Sequence, residues 1–511
     1  MYRLGRYARM GLKNVLFASA VLAAGFAALP ATADPWARPG DVALRHDLRL
    51  LADAGLLRAP VNAWPIPWAS IAVDLGSGRD PARLAGQDPE TVVAYARVTA
   101  RLNEVRGLTG LQPNLRVALR SDDFWLRNFE DTPREESEVR AGVSWLGDRL
   151  AMRAQLSYTP DALDGDSSWR GDGSYLAGIL GNQILYAGAL EQWWGPGHDD
   201  TLMLSTNARP VAGLGLQRNV ARPSRHPWLA WLGPWTYALS AGFLESNREV
   251  PDARLLAYRF GFRPQTAVEF GVSRMVIWCG KGRDCDGAAV WDALTSSGES
   301  GQALTAFDAR WQSPFVDGPW AIYGQAVAQD KDHGFSSNYF GQLGIETWGS
   351  LNTAAISGSW RAHLEYSNTL AKAWQSEPQQ DLAYNHPIYG SGFRYKSRAL
   401  GAALDGDGEV LSAGVTLVES QRSSWNVLLR HGTLNRRGDG EGLDGFHSVT
   451  PQELRITGAQ FSHRRAIGRE NLRLGTLSAG VGVRYADNRR TGDSGTDAQA
   501  FLQWTWDFSG L

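Results

Sequence analysis

The feature that most constrains the fold of this chain is an alternation of apolar and polar side chains that begins near residue 111 and continues to the end. In residues 138–158, two alternating runs flank Gly147 and Asp148, and each run has one apolar face and one face that carries arginines and small polar residues. A period of two predicts β-strands, and the Gly-Asp pair predicts the turn of a hairpin. The same pattern recurs at 237–243, 256–262, 360–366 and 498–508.

Which face of these strands lies inside decides the class of protein. In a soluble sandwich the apolar faces meet in a core, and so long an alternating region would need several sandwiches joined by linkers, which the sequence lacks. In an outer-membrane barrel the apolar rows face lipid, the polar rows line a wet lumen, and aromatic residues form girdles at the strand ends. The 21 tryptophans and the many arginines on the polar faces favour the barrel. We therefore predict a mainly β protein in which residues 109–511 form a transmembrane antiparallel β-barrel, with a soluble periplasmic protein as the alternative.

The length of this region also sets a range for the number of strands. About ten residues per strand, with alternating short turns and long loops, give roughly 16 to 20 strands.

Residues 34–108 follow a different period and predict a small helical bundle. Leucines recur at helical spacing between Asp41, a suitable N-cap, and Gly55, a suitable stop. Two further helices are predicted over 70–75 and 88–104.

The first 33 residues have the pattern of a secretory signal peptide. Four basic residues precede an apolar run at 15–29, which is too short to span a bilayer, and Ala31-Thr32-Ala33 matches a cleavage signal. Cleavage after Ala33 would start the mature chain at Asp34 and change the net charge from −2 to −6. That charge argues against nucleic acid as a partner, because a nucleic-acid-binding protein needs a basic face.

Cys279 and Cys285 are the only two cysteines and bracket a short loop, which predicts a local disulfide in an oxidising compartment. Two such ligands make a poor zinc site. The acidic stretches 161–166 and 405–409 lack the full calcium-loop pattern, and neither a nucleotide motif nor a nucleophile elbow occurs in the sequence. We therefore expect no metal and no cofactor.

The sequence EQWWGPGHDD at 191–200 places Trp193 and Trp194 side by side before a Gly-Pro-Gly turn. Adjacent residues of a strand point to opposite faces, so we expect one indole to anchor the barrel in the membrane and the other to be free at the lumen or a loop mouth. A role in a protein core is the least favoured of the three. A free indole beside polar groups suits the C–H face of a sugar, and such groups follow nearby in Glu191, Gln192, Asn207 and Arg209.

Two blocks of the chain resemble the Wzi family of capsule assembly proteins. The first is QWWGPG with LMLSTNARPVAGLGLQRN at 192–219, and the second is HLEYSNT at 363–369 with YNHPIYGSGFRYKSRALGAALDGDG at 384–408. The N-terminal LLADAGLLRAPVNAWPIPW is similar to the helical start of that family. This resemblance implies an outer-membrane barrel of 18 strands with a periplasmic helical bundle at residues 34–108.

The resemblance also implies a function, which is to hold capsular or related exopolysaccharide at the cell surface as a lectin without enzymatic activity. The candidate ligand contacts are Glu191, Gln192, Trp193, Trp194, Asn207, Arg209, Glu365, Tyr384, Asn385 and His386. The expected partners are the polysaccharide, outer-membrane lipid with lipopolysaccharide, and the outer-membrane assembly machinery. A porin-like channel for saccharides or anions is the first alternative, and an outer-membrane enzyme that modifies glycans is the second.

Overall fold

The structure is a computed structural model that describes residues 35–507, except 77–83, 108–109, 122–125, 161, 163–165, 296–300, 314, 330–337, 354–355, 374, 376–377, 421–422, 437–446, 470–471 and 489–490. The predicted signal peptide, its cleavage site and Phe508 of the last apolar row lie outside the described residues.

The described residues form a closed antiparallel barrel whose strands pair with their neighbours in chain order. Its eighteen strands are β1 (Gly110–Arg120), β2 (Ser137–Leu146), β3 (Leu150–Tyr158), β4 (Tyr175–Leu180), β5 (Gln183–Gly188), β6 (Gly213–Arg218), β7 (Trp235–Phe243), β8 (Arg254–Gln265), β9 (Val268–Trp278), β10 (Gly301–Gln312), β11 (Trp320–Gln329), β12 (Tyr339–Asn352), β13 (Ser357–Asn368), β14 (Glu409–Ser420), β15 (Ser423–Leu434), β16 (Leu454–Arg469), β17 (Leu472–Asn488) and β18 (Ser494–Asp507). A two-residue segment, Trp169–Arg170, extends the β4 position along β3. Strand β18 pairs with β1 and closes the barrel, which confirms the predicted fold class and strand number.

The alternation seen in the sequence separates the two faces of the wall. In the β2–β3 hairpin, Val139 is 51% exposed and Leu156 is 54% exposed on the outer face, while Ser144 and Ser157 are buried on the inner face. Exposed apolar side chains of this kind recur on the outer face of most strands. A barrel that spans a membrane presents such a surface to lipid, because only apolar groups are stable there without hydrogen bonds.

Three helices precede the barrel: α1 (Val42–Asp53), α2 (Trp68–Leu75) and α3 (Pro89–Gly107). The Asp41 carboxylate caps α1 by accepting a 3.0 Å hydrogen bond from the Leu44 amide, as expected. The helix ends slightly before Gly55, whose φ of 71° lies in the left-handed region that favours glycine. None of the described helices is long and apolar enough to cross a membrane.

Helix α1 lies inside the barrel and does not stand apart from it. Most of its residues are buried, including Arg45, Asp47 and Arg49, and their partners come from an inward-folded loop, from α3 and from the wall. The helical segment therefore fills part of the lumen beside the barrel end at which β1 begins.

The two ends of the barrel differ in the length of their connections. At the end where β1 begins, most connections are a few residues long, and a 3-10 helix at Pro227–Leu232 lies in the longest of them. We call this the turn end. At the opposite end, called here the loop end, much longer segments join the strands, among them 189–212, 279–300 and 369–408.

Candidate functional site

The loop end is closed by two long loops that are hydrogen-bonded to each other. The buried Tyr384 hydroxyl donates to the Leu202 carbonyl at 2.8 Å and accepts from the Ala402 amide at 3.0 Å. The Asn207 side chain donates to the Ala399 carbonyl at 2.9 Å. Loops 189–212 and 369–408 thus form one layer across the lumen, and Tyr384 and Asn207 are buried parts of this layer.

The expectation of a free indole at 193–194 is wrong, because both tryptophans are core residues. Each is 1% exposed, and the pair forms a short strand against Trp64 and Ala63 from the N-terminal segment. Alternation still separates the two side chains. It places Trp193 in a cluster with Phe129, at a ring distance of 5.4 Å, and Trp194 in a second hydrophobic cluster. Since the loop folds into the lumen, protein covers both faces of this strand and neither indole reaches lipid or solvent.

The segment that follows the tryptophans is held by Glu365 on β13. The Glu365 carboxylate accepts hydrogen bonds from the backbone amides of His198 at 2.6 Å, Asp199 at 3.1 Å and Asp200 at 2.9 Å, and from the Tyr323 hydroxyl at 2.8 Å. The expectation that Glu365 contacts a ligand is therefore wrong, because its oxygens are buried and occupied within the protein.

A cluster of buried charges joins α1 to the barrel wall. Glu346 of β12 forms ion pairs with Arg49 of α1 at 3.0 Å, with Arg310 at 2.5 Å and with Arg361 at 3.1 Å. Arg310 also binds Asp53 of α1 at 2.6 Å. Buried charges are tolerated only when paired and hydrogen-bonded, so this cluster fixes the position of the helix in the lumen.

His198 joins the segment held by Glu365 to the charged cluster around Glu346. Its backbone amide donates to Glu365, and its side chain is hydrogen-bonded to Glu346 at 2.5 Å. Burial and the nearby Arg49 lower the pKa of His198 well below its usual value. The imidazole is therefore neutral at pH 7, and its ring stacks on that of His363 at a centroid distance of 4.4 Å.

Closer to the loop end, charged side chains form what we call the mouth cluster, which consists of Asp166, Asp172, Arg209 and Lys396. Arg209 binds Asp166 at 2.5 Å and Asp172 at 2.8 Å, and the Lys396 ammonium lies 3.6 Å from Asp166. Both acids are well placed to hold the two cations in fixed positions. Sequence reasoning identified Arg209 alone of these four.

Lys396 occupies the tight turn of a short hairpin within loop 369–408. Lys396 has a φ of 51° and the next residue, Ser397, a φ of 63°, so two non-glycine residues adopt the left-handed conformation that such a turn requires. This conformation costs of order 1 kcal/mol or more per residue, and strain of this kind is often retained at functional sites. The sequence lacks the Asn-Gly pair that normally signals the turn, which explains why Lys396 was missed.

The remaining predicted contacts are only half-buried. Glu191 binds Arg134 at 2.6 Å, and Gln192 is half-buried beside it. Asn385 is half-buried and accepts from Arg394 at 2.7 Å. Half of the ten candidates, Glu191, Gln192, Arg209, Asn385 and His386, are thus partly exposed, and the other half are buried within the protein.

His386 is the partly exposed candidate with the clearest protonation state. Burial and the nearby Arg283 lower its pKa to about 4. Its neutral ring accepts hydrogen bonds at Nδ1 from the amides of Ile388 and Tyr389, both at 3.2 Å.

The structure pairs Cys279 with Cys285 in loop 279–300, with their Cα atoms 4.8 Å apart. The Cys279 carbonyl accepts from the Tyr389 hydroxyl at 3.2 Å, so the clipped loop is attached to loop 369–408. A short helix, α4 (Gly287–Thr295), follows the clip and exposes Trp291.

Comparisons with known proteins agree with this architecture. An uncharacterized 55.8 kDa protein in the cps region of Klebsiella pneumoniae is 28% identical over 430 residues, which cover 81% of this chain and 80% of that protein. The structure is similar to that of Wzi from Escherichia coli, described as an outer membrane protein involved in group 1 capsule assembly and as a carbohydrate-binding β-barrel. That match has a TM-score of 0.78 at 24% identity and covers 93% of this chain and 100% of the other.

A family model described as capsule assembly protein Wzi matches residues 109–490, which is well over half of the chain. This match confirms the family that the two sequence blocks at 192–219 and 363–408 indicated. The chain therefore belongs to the Wzi family of capsule assembly proteins.

Proposed function

We propose that this protein is an outer-membrane β-barrel that binds capsular or related exopolysaccharide and holds it at the cell surface. In this proposal the signal peptide is cleaved after Ala33, the loop end faces the exterior and the turn end faces the periplasm. The outer wall contacts lipid and lipopolysaccharide, and the assembly machinery inserts the barrel.

The observation that carries the proposal is the closed, charged loop end. Loops 189–212 and 369–408 are joined by buried hydrogen bonds, so the groups on their outer side are held in place before a ligand arrives. In the mouth cluster, Arg209 and Lys396 supply cations and N–H donors, while Asp166 and Asp172 supply acceptors. Fixed donors and acceptors of this kind suit the hydroxyl and carboxylate groups of a polysaccharide, because preorganisation lowers the entropy cost of binding.

The relatives support the same function. The Escherichia coli protein with a similar fold is described as carbohydrate-binding, and the Klebsiella relative is encoded in a cps region. Membership of the capsule assembly family supports a cell-surface glycan as the partner.

We also propose that the protein acts by binding alone. Glu365 makes four hydrogen bonds within the protein, and Glu191 is paired with Arg134. A glycosidase needs two carboxyl groups free to transfer protons or attack the sugar. The two carboxylates singled out from the sequence are therefore better explained as structural.

The test compares cell-attached with released polysaccharide in a deletion strain complemented with single variants. We expect Lys396→Glu to release several times more polysaccharide than the wild type, because it replaces a cation of the mouth cluster with an anion. The matched control is Arg436→Gln, which removes another partly exposed cation of the loop end, paired with Glu409. The amount of barrel in the outer membrane is measured for every strain.

Two results would contradict the proposal. Full retention of polysaccharide by the deletion strain would show that the protein is not needed to hold polysaccharide at the cell surface. Full retention of polysaccharide by Lys396→Glu, by Arg209→Gln and by the double variant would show that the mouth cluster is not the binding site.

A further inference from the structure

A cavity of the described residues lies inside the barrel and extends from its turn end to Asp172 of the mouth cluster. It has a volume of about 310 Å³ and is enclosed by the segment before α1, the C-terminal part of α3 and the inner faces of β1, β2 and β3. This volume is at the lower limit of small-molecule sites, which begin at about 300 Å³. We call it the β1–β3 cavity.

The β1–β3 cavity extends from the turn end toward the closing layer. At the turn end it is bordered by Arg101 of α3, whose side chain is 56% exposed. Its inner end is formed by Arg116, Arg134, Glu135 and Arg170, all of which are buried. A ligand would therefore enter from the turn end.

The lining carries charges of both signs, with eight arginines and seven acids. The arginines are Arg38, Arg101, Arg116, Arg134, Arg140, Arg153, Arg170 and Arg464, and the acids are Asp41, Glu104, Asp131, Glu135, Glu138, Asp172 and Glu191. Arg116 and Arg140 share Glu138, at 3.4 and 2.6 Å, and Arg116 also binds Asp131 at 2.6 Å. Arg153 donates to the neutral hydroxyl of Ser144 at 2.8 Å. Since the arginines of the lining outnumber its acids by one, an anionic group in the cavity would balance this excess of positive charge.

Several buried donors in this lining have no hydrogen-bond acceptor among the described residues, and two of them belong to Asn114 and Arg134. Asn114 accepts from Gln155 through Oδ1, but its buried Nδ2 donates to no group there. The buried Nε of Arg134, a residue more than nine-tenths buried, is in the same situation. A buried donor without an acceptor costs about 1–3 kcal/mol, so such donors favour a ligand or water that supplies oxygen atoms.

The side of the cavity formed by the N-terminal segment and helices is aromatic and apolar. Trp36, Trp68, Leu44 and Val105 line it opposite the charged strands. A sugar ring has apolar C–H faces and polar edges, so it matches a cavity with an indole on one side and arginines on the other.

We propose that the β1–β3 cavity is a second binding site, which takes a short acidic saccharide such as a uronic-acid-containing disaccharide from the periplasmic side. This site goes beyond retention of polysaccharide at the loop end. It would let the protein contact an acidic glycan on both sides of the closed layer. Only its assignment to the periplasm rests on the orientation given in the proposed function.

The test measures binding of a glucuronate-containing disaccharide to the purified full-length protein in detergent, by calorimetry. Cellobiose is the neutral comparison. We expect saturable binding of the acidic disaccharide only, and at least tenfold weaker binding by the double variant Arg140→Gln, Arg153→Gln, because each removed cation weakens a charge-assisted hydrogen bond. Asn114→Leu is a second variant, which removes the free donor at similar volume. Each variant is first checked for the gel mobility of a folded barrel.

The controls separate this site from the mouth cluster. Lys396→Glu and Arg436→Gln should bind the disaccharide as the wild type does, since neither residue lines the cavity. If Lys396→Glu abolishes binding and the cavity variants do not, the disaccharide binds at the mouth cluster and the proposal fails. Absence of saturable binding, or equal binding of cellobiose, would also overturn it.

The entrance is tested by Arg101→Cys. The two native cysteines form a disulfide, so a bulky maleimide reacts at position 101 alone. We expect this modification to weaken disaccharide binding severalfold, while the unmodified variant binds normally. Unchanged affinity after complete modification would contradict entry from the turn end.

Discussion

At the scale of single residues, the position of a tryptophan in the fold matters more than its chemical suitability for sugars. Trp193 and Trp194 have the composition of a glycan-binding surface, yet each contributes to a different hydrophobic cluster in the lumen. Their role in this structure is to hold the loop that closes the barrel against the N-terminal segment. Their loss should therefore affect stability before it affects binding.

We expect Trp193→Ala and Trp194→Ala to destabilise the folded barrel by about 3–5 kcal/mol each, because truncation of a buried indole leaves a cavity. The measurement is the temperature at which the folded form converts to the unfolded form on a gel. Leu214→Ala, at an exposed position of the outer wall, serves as a control that should leave this temperature nearly unchanged in detergent. A Trp193→Ala barrel of normal stability that sheds polysaccharide would contradict the core assignment.

Two neighbouring aspartates of loop 369–408 differ in charge state. Asp405 binds Arg394 at 2.6 Å, and this arginine holds the pKa of Asp405 below its usual range. Burial, with the negative charge of Asp405, raises the pKa of Asp407 to about 7. One Asp407 oxygen accepts from the Asp381 amide at 2.6 Å, and the other has no donor among the described residues.

This difference predicts a pH dependence of the loop. Because the folded pKa of Asp407 is raised, its contribution is fully present below the unfolded value of 3.8 and is lost as pH rises through about 7. The loss amounts to about 4 kcal/mol at most. We expect Asp407→Asn to stabilise loop 369–408 at pH 8 and to have little effect at pH 4, measured by resistance of the loop to proteolysis.

Asp405→Asn is the matched comparison, for which the opposite change in loop stability is expected. Its lowered pKa means that its contribution is present above the unfolded value and is lost as pH falls, so this variant should weaken the loop at pH 8. Equal resistance of the wild type and Asp407→Asn to proteolysis at pH 8 would show that the charge of Asp407 does not destabilise the loop.

At the scale of elements, helix α1 acts as a plug that buried ion pairs fasten to the wall. Glu346→Gln should be strongly destabilising, by about 3–5 kcal/mol, because it leaves Arg49, Arg310 and Arg361 buried with less negative charge among them. The measurement is urea unfolding of the barrel in detergent. Glu409→Gln, which breaks the more exposed pair with Arg436, should cost less than about 1 kcal/mol. Similar stabilities of the two variants would contradict a fastening role for Glu346.

The disulfide affects a second element, the loop that carries α4. Cysteines six positions apart close a small loop, for which a chain-entropy estimate gives about 2 kcal/mol of stabilisation. We expect the double variant Cys279→Ser, Cys285→Ser to retain the barrel but to be cleaved faster by trypsin at Lys281 and Arg283. A reducing agent should reproduce this effect in the wild type. Unchanged cleavage in both cases would show that contacts such as Tyr389 with Cys279 hold the loop without the bond.

At the scale of the whole molecule, the closed barrel and the filled lumen predict an outer-membrane protein without a large pore. We expect the folded protein to migrate differently on a gel before and after boiling, and to give little conductance in a planar bilayer. Both follow from a wall whose described strands pair in a closed ring and from a lumen occupied by α1 and the closing layer. A large, stable open-channel current in the wild type would favour the porin alternative instead.

The sequence alone determined the wall of this molecule. Alternation with a period of two is a local property that survives in any register, so rows such as 360–366 predicted outward apolar and inward polar faces without knowledge of the partner strands. The cap at Asp41 and the helices after it were predictable for the same reason, since a capping bond and a helical face involve residues only a few positions apart. The family followed from the segments 192–219 and 363–408.

Only the tertiary structure decided what lies inside the wall. Whether a loop extends outward or folds into the lumen depends on contacts between residues more than a hundred positions apart, such as Glu365 with the amides after Pro196, or Arg49 with Glu346. A local sequence pattern does not predict contacts between such distant residues. For that reason Trp193, Trp194 and Glu365 were predicted to contact a ligand and prove to be structural, while the mouth cluster and the β1–β3 cavity emerged only when distant segments were brought together.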